Sequence, residues 1–193
     1  MKPLWAWVRA AALGTALLTL AVQAGAEPVV FTLDPEHTFV QFELLHFGTS
    51  TIRGRIGPIA GEVTLDRSAG SGAMRIAIDT NSVSTGLRVF DARIREPDLL
   101  ASADFPQAVF TADALRFDGD RLAEVSGTLT LRGVKRPLVL HALRFGCERR
   151  AQQQVCGGDF EGELQRSDYG INFSLPFVAD KLRLLVQVEG RAR

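Results

Sequence analysis

The chain has 193 residues, and its 22 Lys and Arg balance 22 Asp and Glu, so that its formal net charge at pH 7 is zero. This balance argues against a nucleic-acid partner, because binding to the phosphate backbone depends on an excess of basic side chains. The length suits one domain with a full hydrophobic core.

The N-terminal segment has the order of charge, apolar run and small residues that is typical of a secretory signal peptide. Basic side chains come first, an apolar run follows over residues 10–22, and residues 24–26 form the small-x-small sequence Ala-Gly-Ala. The run is shorter than the roughly 20 residues that a membrane-spanning helix needs; an uncleaved anchor is the alternative. We predict a signal peptide over 1–26 and a mature periplasmic domain over 27–193 that begins at Glu27.

The mature sequence alternates between apolar and polar side chains with a period of two. The clearest runs are residues 40–44, 59–65, 74–78, 129–131 and 182–188. This period, with one apolar face, indicates half-buried antiparallel strands. Clusters of Gly, Asp and Ser separate the runs as turns do, and about eight strands result.

One segment departs from this alternation. In residues 86–100, Leu87, Phe90 and Ile94 recur at helical spacing, and Pro97 ends the pattern. We therefore predict a short helical insertion among the strands.

Many short strands without a linker or repeat predict a sandwich or a closed barrel. Eight antiparallel strands in up-and-down order close into a barrel that has room for one small ligand. An outer-membrane barrel would carry aromatic girdles at both interfaces, whereas both Trp residues lie in the predicted signal peptide and Tyr169 is the only Tyr. The prediction is an all-β, single antiparallel eight-stranded barrel whose apolar face points inward.

Side chains on the inward positions of the strands should line one apolar tunnel. Gly127 would leave room between larger neighbours. His46 either contacts the polar end of a ligand or is a hydrogen-bonded interior histidine. The predicted lining residues are Val40, Phe42, Leu44, His46, Val63, Ile76, Ile78, Gly127, Leu129, Leu164, Leu184 and Val186.

Arg166 and Asp168 are two residues apart, so that on a strand their side chains would share one face. A buried Arg needs a partner. The two residues either form a structural ion pair or backbone clamp, or they bind the polar or phosphate head group of a ligand.

The polar residues do not have the spacing of an enzyme or a metal site. The three histidines, His37, His46 and His141, form no close pair of the kind that metal sites use, and no Gly-x-Ser-x-Gly sequence is present. We predict a protein without catalytic residues or metal ligands. The alternative is a lipid isomerase or cyclase that uses His46 inside the tunnel.

Cys147 and Cys156 flank a polar segment that reads as the tip of a hairpin. In an oxidising compartment such a pair predicts a disulfide between two neighbouring strands. Two free thiols are the alternative.

Four sequence blocks occur in the order found in a known family. They are Leu-Asp-Pro-Glu-His-Thr-x-Val-x-Phe at 33–42, the segment 93–106 that ends in Leu-Ala-Ser-Ala-Asp-Phe-Pro, Val-x-Gly-x-Leu-Thr-Leu-Arg-Gly-Val-Lys at 125–135, and Arg-Ser-Asp-Tyr-Gly-Ile at 166–171. In these blocks the chain resembles the YceI-like family of periplasmic polyisoprenoid-binding proteins. It departs from the family pattern mildly, with Tyr169 in place of Phe and Thr38 in place of Ser.

The resemblance implies a lipocalin-like barrel whose tunnel holds an isoprenoid or fatty chain. The expected function is that of a periplasmic carrier or sequestering protein, which requires no cofactor, since the ligand is cargo. A quinone also has an isoprenoid tail, so an accessory role in electron transport is a second possibility. The expected partners are the apolar ligand and, transiently, a membrane or membrane protein; the oligomeric state stays open.

Overall fold

The computed structural model describes residues 27–119 and 121–193. The predicted signal peptide and its cleavage site therefore lie outside the described residues. The elements are one α-helix, α1 (Arg88–Ile94), two 3₁₀ helices (Thr80–Ser82 and Arg166–Tyr169) and the strands β1 (Val29–Leu33), β2 (Phe39–His46), β3 (Ser50–Ile56), β4 (Ala60–Asp66), β5 (Ser71–Asp79), β6 (Gln107–Asp118), β7 (Arg121–Leu131), β8 (Val134–Arg150), β9 (Gln153–Gln165) and β10 (Lys181–Ala192).

Eight of the strands form a closed antiparallel ring. Their order is β1-β4-β5-β6-β7-β8-β9-β10, and β10 pairs back to β1. The β2–β3 hairpin lengthens one side of this ring, because β2 pairs with β10 alongside β1. The prediction of an eight-stranded antiparallel barrel is thus confirmed.

The described residues form ten strands because two long strands of the ring are interrupted. The break between β1 and β2 contains Pro35, and the break between β3 and β4 contains Pro58. Proline has no N–H to donate to a ladder, so it interrupts strand pairing. β1 with β2 and β3 with β4 therefore act as two bent strands.

Alternate side chains of each strand point into the barrel. On β8, for example, Leu138 and Leu140 are buried while Val139 and His141 are exposed. The alternation agrees with the period of two in the sequence. The buried inward side chains form the hydrophobic core inside the barrel.

The two longest connections between the described strands lie at one end of the barrel. Because the strands run antiparallel, the β2–β3 turn (47–49), the β5–β6 connection (80–106) and the β9–β10 connection (166–180) lie at the same end, which we call the mouth. A backbone hydrogen bond joins the β2–β3 turn to the β9–β10 connection: the amide of Phe47 donates to the carbonyl of Phe177 at 2.7 Å.

The predicted helical insertion is α1, and it lies at the mouth. Leu87 is its N-cap, and Phe90 and Ile94 face the interior of the barrel. No residue of α1 is buried. Within the described residues, no helix is long and apolar enough to cross a bilayer.

The predicted disulfide is present between β8 and β9. Cys147 and Cys156 occupy facing positions of the two strands, and their sulfur atoms are bonded. The bond lies near the turn at residues 151–152, which is at the end opposite the mouth.

Candidate functional site

The barrel encloses an elongated cavity of about 410 Å³. Sites that bind small molecules commonly measure about 300–1,000 Å³. Its wall is apolar except at five residues, Thr38, His46, Arg93, Arg166 and Ser174. Thr38 is buried and is bonded to the backbone of Glu189, so the remaining polar groups belong to the mouth and its connections.

The cavity extends over nearly the full height of the barrel. Strand β10 contributes every second residue from Leu182, near the mouth, to Gly190. Eight residues of strand span about 27 Å at 3.4 Å per residue. With a strand tilt of 35–45°, the cavity is about 20 Å long.

Eleven of the twelve predicted lining residues lie at the cavity wall. They are Val40, Phe42, Leu44, His46, Val63, Ile76, Ile78, Leu129, Leu164, Leu184 and Val186. Their contact with a ligand stays a prediction.

Gly127 does not line the cavity, which corrects its assignment. It has the inward position that the alternation predicts, between buried Val125 and Leu129. However, a Cβ atom at Gly127 would lie 2.8 Å from the ring of Phe110 and 2.8 Å from the side chain of Ala112. The neighbouring strand β6 fills the space in front of it.

His46 ends β2 at the mouth rather than deep in the barrel. Its ring is half-buried and meets Phe47 edge-on, with 4.6 Å between the ring centroids. No hydrogen bond involves this ring within the part of the chain that the structure describes. The imidazole is therefore available to a polar group at the cavity entrance.

Arg166 and Asp168 are not on a strand, so the predicted shared face is wrong. The chain leaves β9 at Gln165 and turns through a 3₁₀ helix, which Gly170 ends in the left-handed conformation. Asp168 is exposed and does not line the cavity.

Arg166 is a buried clamp on the β9–β10 connection. Only 4% of it is exposed. Its Nε donates to the carbonyl of Ala179 at 2.9 Å, Nη1 to those of Ile171 and Phe173 at 3.0 and 2.8 Å, and Nη2 to that of Val178 at 2.8 Å. Burial lowers the pKa of Arg166, and the nearby charge of Asp180 opposes this effect.

Asp180, and not Asp168, is the carboxylate whose charge acts on Arg166, although the described residues contain no ion pair between the two side chains. Its carboxylate accepts from the amide of Ser167 at 2.8 Å and from the Ser167 hydroxyl at 2.6 Å. This residue was missed because it lies 14 positions beyond Arg166 across an irregular connection. The signal that was available is Gly170, a residue that commonly ends a helical turn.

The mouth also contains residues that strand periodicity does not identify. Phe90, Arg93, Phe173 and Val178 line the cavity from the connections. Arg93 makes two hydrogen bonds of 2.6 Å to Asp98, and its guanidinium lies 4.2 Å from the centroid of the Phe173 ring. These contacts hold the β5–β6 and β9–β10 connections together.

Outside the cavity, Asp34, His37 and Glu189 approach one another. Their potential ligand atoms lie within 4.8 Å of each other. Each carboxylate is paired with a guanidinium: Arg191 lies 2.8 Å from Asp34 and Arg150 lies 3.0 Å from Glu189. The hydrogen bond from His37, followed by that from Arg191, lowers the pKa of Asp34. These contacts describe an ion-pair network at the β1–β2 break.

Comparison with known proteins gives a match to the YceI-like domain over residues 31–190. Protein YceI of Salmonella arizonae is 32% identical over 183 residues, which cover 92% of this chain and 95% of that protein. The Protein YceI of Salmonella paratyphi B gives the same values.

Solved structures share the fold at lower sequence identity. BcnA of Burkholderia cenocepacia has a TM-score of 0.68 at 18% identity, covering 81% of this chain and 98% of BcnA. The YCEI protein of Campylobacter jejuni has a TM-score of 0.68 at 22% identity, covering 77% and 90%. A polyisoprenoid binding domain from Saccharophagus degradans has a TM-score of 0.62 at 21% identity, covering 84% and 98%.

Proposed function

Since the chain belongs to the YceI-like domain family, we propose that it binds a long apolar ligand inside its barrel as a periplasmic carrier or sequestering protein. The ligand is a polyisoprenoid, an isoprenoid quinone or a fatty chain. The observation that carries the proposal is the continuous apolar cavity of about 410 Å³ inside a closed ring of strands. The name of the Saccharophagus domain supports the choice of ligand class.

Burial of the apolar ligand chain supplies the driving force for binding. Because C–C bonds are about 1.5 Å long, an extended chain advances by about 1.3 Å per bond, and a 20 Å cavity takes about 15 carbon atoms in line. Each buried CH₂ contributes about 0.8 kcal/mol. The gross gain is on the order of 10 kcal/mol before the costs of association are subtracted. Few polar contacts are then needed.

We propose that the polar end of the ligand lies at the mouth. His46, Arg93 and Ser174 line the cavity there, and the His46 ring has no hydrogen-bond partner among the described residues. Four carbonyl contacts already occupy most of the N–H donors of Arg166. We therefore assign the head-group contact to His46 and Arg93, and the clamp to Arg166.

Binding without catalysis fits this arrangement better than an isomerase or cyclase. Such an enzyme needs a proton-transfer group beside the reacting carbons, deep in the cavity. His46, the candidate for that role, lies at the mouth beside Phe47. A quinone would fit in the same orientation, with its ring at the mouth and its tail inside.

Mass spectrometry of lipid extracted from the purified protein tests the proposal. We expect an isoprenoid, quinone or fatty chain in a fixed ratio to protein, and its mass separates the three ligand classes. Protein that carries no such lipid and shows no saturable uptake of a fluorescent fatty chain would contradict the proposed function.

A further inference from the structure

Exposed apolar side chains are concentrated at the mouth. Of nine large hydrophobic residues that are exposed in the described part of the chain, two, Val139 and Leu143, lie on the outer face of β8. The other seven surround the mouth, and we call them the collar: Leu45, Phe47, Leu87, Val89, Phe90, Phe173 and Phe177. Val89 is 83% exposed and Phe177 is 62% exposed.

The opposite end of the barrel has no such residues in its described turns. The β4–β5 turn reads Arg-Ser-Ala-Gly at 67–70, and the β8–β9 turn reads Ala-Gln at 151–152. The two ends of the same barrel therefore differ sharply in polarity. Apolar patches of this kind on a protein surface mark sites of interaction.

We propose that the collar docks on the surface of an anionic lipid bilayer. Phe47, Phe90 and Phe173 belong to the collar and also line the cavity. Insertion of the collar would therefore join the acyl region of the bilayer to the apolar cavity wall without a water gap. A ligand chain can then move between the bilayer and the cavity without being exposed to water. The purpose of the collar rests on the proposed function, but its binding to a bilayer needs no ligand.

The shape of the collar favours a bilayer over a protein partner. Six of its seven side chains project from three separate connections, and Leu45 lies at the end of β2. A fluid bilayer accepts such projections without a matching surface. Their arrangement is fixed before contact: the rings of Phe47 and Phe177 are stacked with centroids 5.6 Å apart. The amide of Phe47 also bonds to the carbonyl of Phe177.

The charge of the collar segments favours anionic lipid. Residues 45–47, 87–90 and 173–177 contain one formally charged side chain, Arg88. Arg88 is exposed between Leu87 and Val89 and has no ion pair within residues 27–119 and 121–193. A guanidinium at the level of inserted side chains matches the phosphates of anionic head groups.

Flotation with lipid vesicles tests the collar. The probe is a vesicle of equal parts phosphatidylglycerol and phosphatidylethanolamine. The variant Leu87→Ser/Val89→Ser/Phe177→Ser removes three collar side chains that do not line the cavity. The control Val139→Ser/Leu143→Ser removes exposed apolar side chains elsewhere. We expect the collar variant to bind at least about tenfold more weakly than wild type, and the control to stay within about twofold.

The charge is tested separately with Arg88→Glu. This variant should lose affinity for the phosphatidylglycerol vesicles but bind vesicles of pure phosphatidylcholine as wild type does. All variants share the same N-terminal segment, so any contribution of that segment cancels. If the triple variant fails to fold by circular dichroism, Val89→Ser alone decides, since this side chain is the most exposed.

Equal flotation of wild type and collar variant, or no flotation of wild type, would overturn the proposal. So would a concentration-dependent dimer that the collar variant abolishes, because the collar would then be the interface between two copies. Extracted lipid is measured on the same samples. Loss of vesicle binding with bound lipid retained supports the collar, whereas absence of bound lipid from every sample contradicts the proposed function alone.

Discussion

The hydroxyl of Tyr169 is buried without a hydrogen-bond partner among the described residues. The residue is only 2% exposed, and burial raises the pKa of its phenol, so the group stays neutral. The family pattern has Phe here. A buried hydroxyl that gives up water and gains no partner costs about 1–3 kcal/mol.

Replacing Tyr169 with Phe should therefore raise the free energy of unfolding by about 1 kcal/mol, measured by urea denaturation. Thr80→Val is the matched control, since the buried Thr80 hydroxyl donates to the carbonyl of Phe105 at 2.8 Å. That variant should be destabilised by about 1 kcal/mol. A loss of stability in Tyr169→Phe would mean that the phenol has an ordered partner.

Asp34 makes stability depend on pH at the acid end. Hydrogen bonds from His37 and then Arg191 lower its pKa below the ordinary value of 3.8. Because the folded pKa is the lower one, the contribution to stability is complete above the unfolded pKa and is lost as the pH falls through the folded pKa.

We expect Asp34→Asn to be less stable than wild type at neutral pH, and the difference to shrink progressively as the pH falls below about 4 and passes through the folded pKa of Asp34. Urea unfolding from neutral to acid pH measures this. Glu36→Gln is the control, because Glu36 is a neighbouring exposed carboxylate without an ion pair in the described structure. Parallel curves for Asp34→Asn and wild type at all pH values would contradict the network.

At the scale of elements, the strands and the helix α1 were predictable, whereas the irregular parts of the connections were not. Alternation places a side chain on the inward face whatever its exact surroundings, so Val40, Ile76 and Leu184 were assigned correctly to that face. The alternation does not show how far a side chain on the neighbouring strand extends. Gly127 was therefore assigned to the cavity wall, although Phe110 covers it. The mouth has no repeating period, and its arrangement depends on tertiary contacts such as those of Arg166.

The inward and outward faces of β10 offer a direct comparison. Leu184 lines the cavity, whereas its neighbour Leu185 does not. Leu184→Trp should displace the bound chain, because added volume on the inward face occupies the ligand's space. Leu185→Trp adds the same volume outside. Extracted lipid should fall several-fold in the first variant and stay constant in the second; equal lipid content in both would mean that the ligand lies elsewhere.

Arg166 makes four of the hydrogen bonds that hold the β9–β10 connection. Arg166→Met keeps most of the apolar volume but leaves four carbonyls without their donor. We expect a loss of more than about 2 kcal/mol of unfolding free energy and faster amide exchange over residues 171–179. Asp168→Asn is the control and should change neither quantity, since Asp168 is exposed. Equal exchange rates in Arg166→Met and wild type would disprove the clamp.

For the whole molecule, a closed ring of strands sets the length of chain that can be buried. The cavity passes the inward residues of β10 from Leu182 at the mouth to Gly190 near the opposite end. Only the ligand carbons that lie within this length of about 20 Å are removed from water. Each of them should improve the dissociation constant about fourfold.

Affinity across a series of linear fatty chains should therefore rise steadily and level off near 15 carbons. Fluorescence displacement measures the series. Val188→Trp blocks the cavity one inward position before Gly190, so it should move the plateau to about 10 carbons and leave shorter chains bound as tightly as before. A general loss of binding would weaken chains of every length. A loss restricted to the longer chains therefore indicates a tunnel that the ligand fills starting at the mouth. A plateau at the same length in both proteins would mean that the chain folds back near the mouth and that barrel height does not set its length.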